Sequence, residues 1–429
     1  MVHKVNKATV RFNEFSEVPK VFNLVDLSVS GISNGVFNDP KKVGSGYRLI
    51  NVKDMYDTDY VDTEKLTLLN IENKEFNKNK VQYGDIFFTR SSIVPSGIAY
   101  SNVCLSNAED ITFDGHLMKL SPNLSFVEPS YLAYKLRTWT MRTRLIRRGK
   151  QSTMTTIGQS DIADIPVELP TIEEQQKIAS FLSKVDEKIA LLVKKKGKLT
   201  EYKKGVMQQL FNGKWEEQDG LLTFIPPTLR FKADDGSEFP DWEEIELGKL
   251  SKKSTVKNKD NSVSVVLTNS ATQGIISQAD YFDRDIANQS NLDGYYVVNP
   301  DDFVYNPRIS IPAPVGPINR NKIDVGVMSP LYTVFSVKKG LNLSYLEYFF
   351  KTTNWHRYMN SIANFGARHD RMNITTSDFF KMPIPVPCIA EQNKIVHFVS
   401  SIDQKIDLAN SELEKAKEWK RGLLQQMFV

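Results

Sequence analysis

Pro166 to Phe211, PVELPTIEEQQKIASFLSKVDEKIALLVKKKGKLTEYKKGVMQQLF, occurs twice in this chain. At an offset of 217 it falls without a gap on Pro383 to Phe428, PIPVPCIAEQNKIVHFVSSIDQKIDLANSELEKAKEWKRGLLQQMF, and 20 of the 46 paired positions are identical. The identities include polar positions such as Gln175, Lys188, Gln208 and Gln209, which two unrelated amphipathic core helices would not share. This is an internal duplication, and the remaining sequence is organised around it.

Each copy reads as one long helix with a packing seam. Ile178, Leu182, Val185, Ile189, Leu192, Lys196, Leu199, Lys203, Val206 and Leu210 alternate four and three residues apart, the spacing of a helix laid along a partner. The offset gives Ile395, Val399, Ile402, Ile406, Ala409, Leu413, Ala416, Lys420, Leu423 and Met427. About forty residues of helix at ~1.5 Å each make a rod of ~60 Å. An unpaired stripe of that length would be a large exposed apolar patch, so the simplest partner for each helix is the other copy, packed antiparallel. Lys196 and Lys203 interrupt the seam and predict a weaker or wetter middle.

With 429 residues and 41% apolar content, the chain has material for two or three cores. A net charge of +4 is only mildly basic, so affinity for nucleic acid has to come from local clusters. Cys104 and Cys388 make neither a disulfide framework nor a CxxC ligand set, which suits a reducing compartment. MVHKVNKATVRFNEF has no apolar h-region, and no run approaches the ~18 apolar residues of a membrane span. The expectation is a soluble, cytoplasmic protein without membrane attachment.

Residues 1–20 form a polar lead-in containing Arg11-Phe12 and Phe15, matched by Leu229-Arg230-Phe231 and Phe239 to Trp242 ahead of the second half. An α/β domain is expected over 21–165 and again over 242–382. The helix segments occupy 166–212 and 383–429, and a polar, then Pro-rich linker covers 213–241. Asp85-Ile86-Phe87-Phe88 and Asp302-Phe303-Val304-Tyr305 read as strands, and SYLAYKLRTWTMRTRLI and SYLEYFFKTTNWHRYMNSI as helices in matching places. The predicted fold class is α/β (α+β): two globular domains separated by two long antiparallel coiled-coil helices, with a pseudo-twofold internal duplication.

The domains agree at their carboxyl ends, where Gly149-Lys150-Gln151-Ser152 stands over Gly366-Ala367-Arg368-His369. Their middles differ: KKVGSGYRLINVKDMYDTDY has no counterpart in TNSATQGIISQADYFDRD. One architecture with two interiors suggests two readers with different targets. Polar and basic loops supply candidate DNA contacts: Ser45, Tyr47, Arg48, Arg90, Ser91, Ser92, Arg148, Lys150 and Gln151 in the first domain, and Asn306, Arg308, Arg320, Arg368, His369, Arg371 and Asn373 in the second. Arg, Lys, Asn and Gln can make paired contacts with base edges, while Ser, Thr and backbone amides suit phosphates. Any one such loop could equally be ordinary solvated surface.

Catalytic patterns are missing. No GxxxxGK[ST] loop occurs, the five histidines lack metal-ligand spacing, and Asn299-Pro300-Asp301-Asp302 and Asn306-Pro307-Arg308-Ile309 are not the Asn-Pro-Pro-Tyr type of an adenine methyltransferase. Asp186-Glu187-Lys188 and Asp403-Gln404-Lys405 have nuclease-like residue types, but they sit on the long helices, where a charged face explains them better. No metal or cofactor of the chain's own is expected.

The repeated Leu-Pro or Val-Pro, Glu-Gln-x-Lys-Ile and terminal Gln-Gln-x-Phe, each after a variable α/β domain, resemble the DNA-specificity subunits of type I restriction-modification systems. The resemblance implies a non-catalytic host-defence subunit whose two target-recognition domains each read one half of a bipartite, asymmetric site in double-stranded DNA. The helices would set the gap and dock two modification subunits, through which restriction subunits join. S-adenosylmethionine, ATP and Mg would belong to those partners. A coiled-coil adaptor without DNA binding, a stand-alone DNA methyltransferase and a silent reader without partners are the alternatives. The lysines at 194, 195, 196 and 198 correspond to Ser411, Glu412, Leu413 and Lys415 at the matching places of the second copy, so a docking contact relying on the lysine run would exist on one side only.

Overall fold

The computed structural model describes residues 10–151, 153–218, 221–281, 292–364 and 370–428. The chain divides into two compact units, Met1–Lys194 with Asn410–Val429, and Lys195–Ala409. Each unit holds one α/β domain, the amino-terminal part of one long helix and the carboxyl-terminal part of the other. The long helices run Ile172–Phe211 and Ile389–Met427.

In the first unit, strands β1 (Lys20–Asn23), β2 (Ser28–Asn34), β3 (Val43–Ile50), β4 (Thr67–Leu69), β5 (Ile86–Thr89), β6 (Ser91–Ser92), β7 (Ser101–Val103), β8 (Ile111–Phe113), β9 (Leu117–Pro122), β10 (Lys150–Gln151), β11 (Thr155–Thr156) and β12 (Pro166–Leu169) form four small sheets. Their orders are β1-β12, β2-β9-β5-β7, β4-β3-β8 and β10-β11-β6. The centre is β5. Because side chains alternate across a strand, Ile86 and Phe88 enter one core and Phe87 another. Burial on both faces explains why this strand reads as an unbroken apolar run.

The second unit repeats the device. Its strands are β13 (Lys214–Gln218), β14 (Leu221–Ile225), β15 (Glu243–Glu246), β16 (Ser251–Lys253), β17 (Leu267–Ser270), β18 (Gly274–Ser277), β19 (Tyr296–Val298), β20 (Phe303–Tyr305), β21 (Ile318–Arg320), β22 (Gly326–Met328), β23 (Thr333–Val337) and β24 (Pro383–Val386). Central β20 lies in the order β16-β23-β20-β21. Phe303 and Tyr305 face one core and Val304 the other. The turn before each central strand is also duplicated: Asp85 accepts from Gln82 N at 2.8 Å, and Asp302 from Asn299 N at 2.8 Å. Gly84 and Asp301 take the left-handed conformation at the same point, with φ of 89° and 73°. Linker residues 214–218 and 221–225 pair as an antiparallel hairpin.

Residues 130–146 and 344–362 each read as one helix from sequence, but each is a pair. Pro129–Arg137 stops at Thr138, whose extended backbone caps Trp139–Arg148, its hydroxyl accepting from Met141 N and donating to Lys135 O. Leu343–Phe350 ends where Thr352 donates to Phe349 O, before His356–Ile362. A threonine that satisfies backbone groups locally competes with helix continuation.

Within each unit the two long helices run antiparallel. In the first, Ile178, Leu182 and Val185 share a core with Leu423, Met427 and Phe428. In the second, Val206 and Leu210 share one with Ile395, Val399 and Ile402. Leu413 is buried too, while Ile189, Leu192, Leu199 and Ile406 are half-buried. Lys203 is no gap in the seam. Its ammonium pairs with Asp403 and lies over the Tyr348 ring, whose hydroxyl donates to Asp403 at 3.0 Å. Its repeat equivalent Lys420 pairs with Asp186 at 2.7 Å and lies over Tyr134, which donates to Asp186 at 2.6 Å. Burial pushes both phenols above their ordinary pKa, with the neighbouring carboxylates adding to the shift, so both remain donors.

The lead-ins are clamped to the helix starts. Arg11 forms a two-pronged pair with Glu174, at 2.7 and 2.6 Å, and Arg230 does the same with Glu391, at 3.1 and 2.8 Å. Phe12 packs edge-on against Phe181, and Phe231 against Phe398. Gln175 accepts from Glu128 N, and Gln392 from Asn342 N, so the duplicated Glu-Gln dipeptide fastens each domain to its helix.

Candidate nucleic-acid interface

The first unit brings six of its nine candidates together at the carboxyl end of β5. The chain leaves β5 through Arg90 into β6, where Ser91 and Ser92 pair with Thr156 and Thr155 of β11. Strand β11 pairs in turn with Lys150 and Gln151 of β10. Arg148 ends the helix immediately before β10 and is exposed, as is Arg147 beside it. Lys150 is 77% exposed, with Asp161 at 3.5 Å, and Gln151 is exposed. Arg90 is held more firmly, donating to Gly115 O at 3.2 Å. The result is a three-stranded polar platform with cationic side chains along its margin.

The other three candidates lie on β3, in a different sheet. Tyr47 stacks face to face on Phe76, centroids 3.7 Å apart. Arg48 holds Asp110 at 3.0 and 3.1 Å and Thr63 O at 3.2 Å, and this bond keeps the Asp110 carboxyl below its usual range. Arg48 is thus engaged within the fold. Ser45 is exposed between Gly44 and Gly46.

In the second unit the segment after β20 meets the segment after the helix pair in the same way. Arg308 bridges to Arg371 and Asn364 to Asn373, with Met372 N donating to Pro307 O at 2.9 Å. Asn306, Arg308, Arg371 and Asn373 are therefore neighbours. Asn306 is partly used internally, since its amide donates to Asn269 O. Arg308 is exposed. Arg320 stands apart on β21, paired with Asp301 at 2.6 Å and within 4.0 Å of Glu347. Burial works against the Glu347 carboxylate, yet Lys351 and Lys322 bring its pKa below the ordinary value. Arg368 and His369 lie outside the described residues.

Sequence reasoning missed Thr155 and Thr156, the first buried and the second exposed, because only strand pairing brings them to the platform. Among the described residues no group of three His, Cys, Asp or Glu side chains could hold a metal ion, and no helix is long and apolar enough to cross a membrane.

Polar surfaces at equivalent places in two duplicated α/β domains, each packed on paired long helices, define a class of two-domain proteins built on an internal repeat. The model of the type I restriction modification DNA specificity domain matches residues 20–201 and 240–418, and the chain belongs to that family. The MjaX type I restriction enzyme specificity subunit of Methanocaldococcus jannaschii is 26% identical over 97% of this chain and 95% of its own length. The MjaVIII specificity subunit of the same organism is 24% identical, covering 73% of this chain and 72% of its own. The fold matches a chain from a structural study of type I R-M complex assembly, with a TM-score of 0.55, 14% identity and coverage of 96% and 99%. It also matches the type I restriction-modification S subunit of M. genitalium, with a TM-score of 0.52, 13% identity and 99% of both chains covered.

Proposed function

We propose that this chain is the non-catalytic DNA-recognition subunit of a type I restriction-modification complex, each domain reading one half of a bipartite, asymmetric sequence. The observation that carries the reading is the repeated surface beyond β5 and β20: the same position in both domains, lined by Arg148, Lys150 and Gln151 in one and by Asn306, Arg308, Arg371 and Asn373 in the other. Equivalent placement supports equivalent use. Different side chains support different half-sites.

The long helices set the number of base pairs between the halves and offer two similar faces to two adenine-methyltransferase subunits, through which restriction subunits join. S-adenosylmethionine, ATP and Mg reside on those partners, and the complex works in the cytoplasm. The test is to co-express the chain with its methyltransferase partner, purify the complex and map methylated adenines on a plasmid. A two-part motif with a fixed gap is the expected result. Absence of both complex formation and DNA binding would sink the assignment, and methyl transfer by the chain alone would show it to be an enzyme.

A further inference from the structure

The two most exposed large apolar side chains among the described residues are Ile311, at 101%, and Ile93, at 83%. They occupy matching loops. Each follows the central strand of its domain, β20 or β5, within a few residues of its end, and each loop carries a β-branched residue directly before proline: Ile311-Pro312 in one, Val94-Pro95 after Ile93 in the other. The offset between Val94 and Ile311 is again 217, although little else in the two loops agrees. Val94 is itself 56% exposed. An exposed isoleucine forgoes ~1.5–3 kcal/mol of burial, and single exposed residues of this kind are common. That background does not explain why the maximal cases fall at, and immediately beside, one duplicated position: Ile311 matches Val94, and Ile93 stands next to it.

Both loops are built stiffly. Ser310 and Ala313 exchange both backbone hydrogen bonds at 3.0 Å, closing a two-residue turn with Ile311 and Pro312 at its apex. In the first domain Gly97 N donates to Val94 O at 3.0 Å, and the turn lies so close to β6 that a Cβ on Gly97 would come within 2.4 Å of Ser92 Oγ. Branching at Cβ and the proline ring leave these side chains little freedom to lose on contact. The segments that carry them are cationic and amide-bearing: β6, which leads into Ile93, belongs to the sheet of Lys150 and Gln151 and follows Arg90, and Ile311 follows Asn306 and Arg308, the latter bridged to Arg371. That chemistry fits nucleic acid rather than an apolar protein groove. On base edges in the major groove, the one apolar group is the C5-methyl of thymine.

We propose that Ile311, and Ile93 with Val94, each read a thymine methyl in their own half-site, fixing one base pair by apolar contact beside the hydrogen-bonding residues. The inference rests on the DNA-recognition reading above. It is a feature of each domain by itself.

The test uses the purified complex with its methyltransferase partner and duplexes carrying the mapped site, in which each thymine of a half-site is replaced in turn by deoxyuridine, which lacks only the methyl. For the unaltered complex, one replacement per half-site weakens binding about fourfold, the effect of burying one methyl-sized group. Ile311→Ser abolishes the difference between thymine and deoxyuridine at its position in the second half-site only. Ile93→Ser with Val94→Ser does so in the first. The proposal is overturned if no replacement matters, if the variants keep the sensitivity, or if they lose the methyltransferase partner while DNA binding is unaltered. Failure of the unaltered complex to bind its own mapped site defeats the recognition reading itself, and this proposal with it.

Discussion

Lys420 in the first unit holds two carboxylates, Asp186 and Asp59, both at 2.7 Å, whereas Lys203 in the second pairs with Asp403. Asp186 and Asp403 are repeat equivalents on the helices. Asp59 belongs to the divergent interior of the first domain and also receives Arg137, at 3.2 Å. At the lead-in the asymmetry reverses. Glu391 accepts from Arg230 and also from Trp242 Nε1 at 3.0 Å, while position 25, one repeat earlier, is a valine. The helices thus supply a shared set of contacts, and each domain adds its own to a different member of that set. Duplication preserved the attachment, and divergence worked from the domain inward.

The attachment is where the largest effects are expected. Glu391→Ala strands Arg230 and the Trp242 indole and should destabilise the second unit by about 3–5 kcal/mol. Glu174→Ala should cost the first unit less, toward the lower end of that range, because Arg11 is the more exposed of the two arginines. Urea unfolding of the two variants would reveal the difference, and equal losses would remove the asymmetry. Next come the proposed recognition surfaces. Arg308→Ala should relax specificity at one position of the second half-site by about 1–3 kcal/mol. Arg320→Ala and Arg48→Ala should lower stability while leaving the methylated motif unchanged, because Asp301 and Asp110 already engage them. Methylome mapping of the three variants separates the two behaviours.

A smaller difference is expected at the seam. Lys420→Met should cost about 1–2 kcal/mol and Lys203→Met about 1, since the first leaves two carboxylates without their lysine. Double-mutant cycles with Asp186→Asn and Asp403→Asn measure each coupling. The smallest effect concerns pH. Burial lowers the pKa of His356 below its ordinary 6.5. The unfolded chain therefore takes up the proton first, so the second unit's stability is full above about 6.5 and falls as pH drops through the folded value. Thermal unfolding at pH 7.5 and 5.5 should show a loss that His356→Asn reduces. An unchanged loss would place the titration elsewhere.

Much of this architecture is legible in the sequence because duplication makes it so. The paired helices and the two central strands follow from spacing and from a repeat at constant offset. The broken helix pairs do not, because Thr138 and Thr352 look like ordinary helix residues until their hydroxyls are seen capping local backbone. The lead-in repeat was visible at Arg11 and Arg230, but not that both reach back to the first turn of a helix more than a hundred residues away. The candidate interface was legible as loops and illegible as a surface. Lys150 and Ser91 become neighbours only through β11, and Arg48 and Arg320 resembled free basic residues because the acids that engage them are remote or unremarkable in sequence.

Lys203–Asp403 and Lys420–Asp186 also bear on mechanics. An apolar seam resists being pulled apart, but it tolerates sliding, because one aliphatic knob fits a neighbouring hole nearly as well as its own. A slip of one heptad moves a helix by ~10.5 Å, far beyond the reach of an ion pair. In each unit the charged pair therefore acts as a detent. Under a shearing load the helices within each unit meet a stop before they can creep, so their register there is held more firmly than the uniform part of the seam could hold it.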